Sequence, residues 1–186
     1  MRLLVACSIC FIYVLSICPL TARASTNNIS IKELLVEIVD SEIKVSCRVN
    51  YSVDDKVKTA LSNGIEVTFA LELELRMERK VWPDTTVVEQ VHEFRLKYHA
   101  LSKQYVLVDV EHDTERSFPD LFSAFYYIGR LRNVALGSID LLELDQQYYV
   151  RARARLQSEK LPLPLRIKSY FSKDWRPSSG WTSWPM

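Results

Sequence analysis

From Ile65 to Glu78 the odd positions are Ile65, Val67, Phe69, Leu71, Leu73, Leu75 and Met77, while the even positions include Glu66, Glu72, Glu74, Arg76 and Glu78. A period of two puts the sets on opposite faces of a strand, so the apolar set demands a second layer to cover it. Fully extended, the segment reaches roughly 45 Å, so the strand is either long or bent. The even row reads as a solvated face, on which Glu72→Ala should cost under about 0.5 kcal/mol. Phe69→Ala or Leu73→Ala should each cost about 2–5 kcal/mol.

The same alternation recurs along the chain. Ile43, Val45, Cys47, Val49 and Tyr51 interleave with Glu42, Lys44, Ser46, Arg48 and Asn50, and Asp40-Ser41 reads as the hairpin turn from a first strand, Ile31 to Val39. Further strands are expected from Val87 to Tyr98, Tyr105 to Val110 and Tyr148 to Gln157. In the first, the apolar parity shifts from odd (Val87, Val91) to even (Phe94, Leu96, Tyr98), which predicts a bulge or bend near His92, after a turn at Trp82-Pro83-Asp84. Ser52-Val53-Asp54-Asp55 reads as a capping box for a helix with Val57, Ala60 and Leu61 on one face, stopped by Asn63-Gly64. Ser117-Phe118-Pro119-Asp120 caps a second, with Leu121, Phe122, Phe125 and Ile128 inward and Gly129 at its end. The expected fold is mainly β: an antiparallel β-sandwich or curled sheet with two short helices inserted between strands.

The last quarter changes character. Leu161-Pro162-Leu163-Pro164-Leu165 fits an edge or an extended polyproline-like crossing, with pairing resuming from Ile167 to Phe171. Trp175, Trp181 and Trp184 follow, as a lid on the sandwich or as an aromatic ligand surface.

Residues 1–24 read as an export signal. Arg2 precedes an apolar run from Leu3 to Leu20, and Ala22-Arg23-Ala24 supplies a small-x-small cleavage pattern, so a single exported, β-rich domain is expected from Ser25 to Met186. An uncleaved membrane anchor is the rival reading. Lipidation at Cys7 or Cys18 fits poorly, because the first lacks a hydrophobic stretch before it and the second has Ile17 where a small residue belongs. Without residues 1–24 the chain keeps 22 Lys and Arg against 23 Asp and Glu. That balance offers no basic excess for nucleic acid. Cys47 is then the lone cysteine and reads as a small buried hydrophobe.

No catalytic motif stands out. There is no G-x-S-x-G elbow, phosphate-cradling glycine loop, paired-cysteine zinc pattern or H-E-x-x-H, and four glycines leave little room for a backbone-lined anion site. His92, His99 and His112 lack a metal-ligand spacing, and Glu72 and Glu74 continue into Arg76 and Glu78 rather than standing as an acid–base pair. No cofactor is expected. The most specific surface feature is a stripe of Arg151, Arg153 and Arg155 on one side of a strand whose other side is Val150, Ala152, Ala154 and Leu156. Guanidinium groups at about 6.6 Å intervals fit an anion- or partner-binding surface, or a cross-strand ion ladder against Glu72, Glu74 and Glu78.

Asn63-Gly64-Ile65, the run from Tyr98-His99-Ala100-Leu101 through Ser102-Lys103-Gln104-Tyr105-Val106, Leu161-Pro162-Leu163-Pro164-Leu165-Arg166, and Asp174-Trp175 ahead of Trp181 and Trp184 together resemble the bacterial family known as domain of unknown function 4390. The resemblance covers nearly all of the chain after the signal and carries no catalytic residue. It implies an exported protein whose gene often neighbours that of a membrane sensor histidine kinase, and hence a role in envelope signalling. The expected function is a non-catalytic periplasmic or cell-envelope binding module. Its partner would be an envelope protein, such as that kinase, or an anionic envelope ligand, with membrane contact only through an uncleaved signal. A small outer-membrane barrel and an unrecognised envelope hydrolase are the alternatives.

Overall fold

Two open antiparallel sheets face each other in the computed structural model, which describes residues 29–186. The signal, its cleavage point before Ser25, and Cys7, Cys10 and Cys18 lie outside the described residues. The strands are β1 (Ser30–Val39), β2 (Glu42–Asn50), β3 (Val67–Met77), β4 (Thr85–His99), β5 (Gln104–Asp109), β6 (Thr114–Phe118), β7 (Arg130–Ser138), β8 (Tyr148–Leu156) and β9 (Thr182–Pro185). The smaller sheet is ordered β1-β2-β7 and the larger β6-β5-β4-β3-β8-β9. The helices are α1 (Asp55–Ser62), α2 (Leu121–Ile128) and α3 (Leu163–Phe171).

The long alternating segment is the middle of the larger sheet, β3, and its odd side chains enter the core as their period requires. Leu71 pairs with Ala154 and Leu73 with Ala152, so large and small residues alternate across the β3–β8 seam and leave room for the facing sheet. Ile43, Val45, Cys47 and Val49 of β2 cover them from the other side. Each of these buried aliphatic residues contributes about 1.5–3 kcal/mol. At one end Tyr51, Phe69 and Phe125 close the core with ring centroids 5.3–5.7 Å apart, tying β2, β3 and α2 together.

Several local expectations need correction. Register shifts where Leu75 pairs with Val88 and Arg76 with Thr86, so the bulge leaves out Val87 rather than falling near His92. Val91 consequently lies on the outer face, opposite Glu72, and His92 on the buried one. The cap of α1 is Asp54, which accepts from the Lys56 N–H at 2.9 Å, and the cap of α2 is Asp120, which accepts from Ser123 at 2.8 Å. Phe122 points outward.

The Leu-Pro repeat starts a helix instead of an extended crossing, and Ile167 to Phe171 continue that helix. Pro162 is its N-cap and Pro164 sits in the first turn, where no intrahelical N–H donor is needed and a fixed φ favours the helix.

Candidate functional site

The charged rows of β3 and β8 meet across the seam. Glu72 pairs in register with Arg153 and Glu74 with Arg151. Arg153 Nε donates to one oxygen of Glu72 at 2.7 Å and Arg155 Nε to the other at 2.6 Å. Arg151 Nε donates to Glu74 at 2.9 Å, and Arg76 reaches the same carboxylate oxygen at 3.1 Å. Arg155 also holds Glu159 at 2.7 Å, and on β4 Glu93 accepts from Gln157 at 2.7 Å and from Lys160.

Of the two readings of the stripe, the cross-strand ladder describes this geometry. Glu72 and Glu74 are only 6% and 7% exposed, so the row expected to be solvated is sealed at its centre, whereas Glu78 is exposed and among the described residues pairs with none of the three arginines. Long arginine side chains fold over the carboxylates, and Trp181 lies on Arg151 and Arg153 at 4.0 and 4.5 Å from its ring. Burial pushes the Glu74 carboxyl up, but the hydrogen bonds and charges of Arg76 and Arg151 outweigh it and hold it below its ordinary value.

The tryptophans do not form one surface. Trp175 is buried in the core beside α1, Trp181 covers the ladder, and Trp184 is exposed on β9. The histidines are equally scattered. His92 Nδ1 lies 2.6 Å from Glu111, His112 Nδ1 lies 2.9 Å from Asp109, and His99 Nδ1 lies 3.2 Å from Ser102. Among the described residues no group of three His, Cys, Asp or Glu is placed to hold a metal ion. Burial pushes the Cys47 thiol up to about 12, which keeps it protonated and unreactive.

What the sequence reading missed lies at the junction of α2 and β7. Gly129 ends α2 with its carbonyl accepting from the Val49 N–H at 2.8 Å, and a Cβ there would stand 2.3 Å from the Val49 oxygen. Only glycine allows this approach, and it fixes where Arg130 begins β7. A bulge follows, because Val45 pairs with Val134 but Cys47 with Leu131. Asn133 takes φ 50° within it, and its N–H donates to the Ser46 hydroxyl at 3.1 Å.

Arg130 precedes this irregular stretch and Arg132 lies within it, and three adjoining depressions meet at Arg130. The largest of the three holds about 650 Å³ and is walled by Phe94, Phe118, Phe122, Tyr126, Tyr127 and Leu131. Phe122 is 77% and Tyr126 52% exposed. The Arg130 guanidinium stands 3.8 Å over the Tyr126 ring, and Arg116 stands 5.0 Å over Tyr127. Among the described residues no ion pair involves Arg116, Arg130 or Arg132, whereas Arg48 nearby holds Glu33 at 2.8 Å. Asp109, also lining the groove, is occupied by His112 and by the N–H groups of Glu111 and His112. The legible signal was α2 itself. Phe122, Phe125, Tyr126 and Tyr127 in one short helix are more aromatic residues than one buried face can take, with Arg130 and Arg132 directly after it.

Fold and surface together define an open two-sheet β-sandwich with an arginine-rimmed aromatic groove at one helix–strand junction. The family model described as domain of unknown function (DUF4390) matches residues 26–185, and the chain belongs to that family. No curated protein and no solved structure shows significant similarity to it. Among the described residues no helix is long and apolar enough to cross a membrane.

Proposed function

We propose that this chain is a non-catalytic binding module of the cell envelope whose ligand face is the groove between α2 and β7, fitted to an anion with an apolar body. The observation that carries the reading is Arg130: an arginine that enters no ion pair among the described residues, held on an exposed tyrosine, where three depressions converge. Aromatic walls supply contact area at low conformational cost, and guanidinium groups at the rim fix an acidic head in a forked geometry. The envelope assignment rests on the apolar run and the Ala22-Arg23-Ala24 pattern. An acidic, apolar segment of an envelope protein presents the same chemistry as a small amphiphile.

The anionic dye anilinonaphthalene sulfonate is a direct probe. It should bind one saturable site, weaken as salt rises, and bind about 10-fold or more weakly to Arg130→Gln/Arg132→Gln, in keeping with the loss of charge-assisted hydrogen bonds. Unchanged dye binding by that variant would remove the groove from consideration.

A further inference from the structure

The third helix leaves its apolar face bare. α3 packs mainly on the single 3-10 turns Ser158–Lys160 and Lys173–Trp175, with Ser169 buried and Leu165 half-buried against the body. Leu163, Ile167, Tyr170 and Phe171 are all exposed, Phe171 by 89%. At helical spacing these four fall within an arc of roughly 100° on the side away from Leu165 and Ser169. Arg166 flanks the arc on one side and Lys168 on the other, and no acidic residue occurs in Leu163–Phe171. Among the described residues neither basic side chain enters an ion pair; Lys168 is exposed, while Arg166 is half-buried and its Nε, itself buried, has no hydrogen-bond partner.

A convex ridge with an apolar crest between two unpaired cations fits a planar interface rather than a groove. Aromatic and aliphatic side chains at the crest reach the boundary between headgroups and acyl chains, where Tyr170 can keep its hydroxyl wet, while Arg166 and Lys168 lie level with lipid phosphates. We propose that α3 docks on the surface of an anionic lipid bilayer, so that the body of the protein rests against the membrane through residues other than those of the groove. The docking is weak and reversible, as expected of a single short helix.

Site-resolved hydrogen exchange on the full chain tests this without interference from its first residues. Vesicles of phosphatidylglycerol and phosphatidylcholine in equal parts should slow exchange across residues 163–171 several-fold, while phosphatidylcholine alone should not. Ile167→Ser/Phe171→Ser should abolish that protection with an unchanged melting temperature, because both side chains are exposed, and Arg166→Gln/Lys168→Gln should reduce it. The proposal is overturned by equal protection on both kinds of vesicle, by none on either, or by protection that survives both pairs of substitutions. It is also overturned if the same residues become protected without lipid as protein concentration rises, since a second copy would then be the occupant.

Discussion

Glu72 holds one guanidinium on each of its oxygens, and that single residue separates a decorated surface from a sealed one. Removing it leaves Arg153 partly buried without a counter-charge and Arg155 with only the more exposed Glu159, a loss of the kind that is costly for a buried pair and cheap for a surface one. Because both arginines keep some solvent contact, Glu72→Ala should destabilise by about 2–3 kcal/mol in urea unfolding, well above the cost of a surface change. A cost near zero would mean that the ladder is ornamental. Acid should act through Glu74. Its carboxyl is held below the ordinary value of 4.5, so the stability it adds is fully present above that value and is lost as pH falls through the lowered one. Glu74→Gln should therefore flatten the fall in melting temperature below about pH 4.5, at the cost of lower stability at neutral pH.

At the scale of elements, Gly129 couples α2 to β2 and sets the start of β7. Gly129→Ala puts a methyl against the Val49 carbonyl and should cost about 1–3 kcal/mol while displacing Arg130, so thermal stability and dye binding should fall together. Loss of neither would mean that the helix end can shift freely. The strands β2 and β8 were legible because their burial alternates as their sequence does, and β3 because its odd row is apolar and buried throughout its first nine residues. Their neighbours were not. Nothing in the alternation of Glu72 and Glu74 says that Arg153 and Arg151 stand beside them, and so a row that looks solvated becomes buried once pairing is known. The Leu-Pro repeat misleads for a related reason: proline excludes a helix interior but suits a first turn, and Pro164 alone does not show which of these it occupies. The groove was illegible as a site because Arg116, Phe122, Tyr126 and Arg130 converge only through the turn from β6 into α2 and the approach of Gly129.

Across the whole molecule, near-neutral charge conceals a division of labour. One arginine set, Arg151, Arg153 and Arg155, is spent inside the larger sheet on carboxylates and Trp181. In the other, Arg116 and Arg130 stand on the rings of Tyr127 and Tyr126 and Arg132 lines the same groove, and among the described residues none of the three has a carboxylate partner. A formal count cannot distinguish the two; burial and pairing do. On the proposed reading the second set binds and the first holds the fold. The most direct measurement is a crossed comparison in which dye affinity and melting temperature are recorded for Arg130→Gln/Arg132→Gln and for Arg151→Gln/Arg153→Gln. The first variant should lose about 10-fold or more in affinity with its melting temperature held, and the second should melt several degrees lower while its folded fraction binds as before. Weakened dye binding by the ladder variant at temperatures where it is folded, with the groove variant binding normally, would place the ligand on the ladder instead.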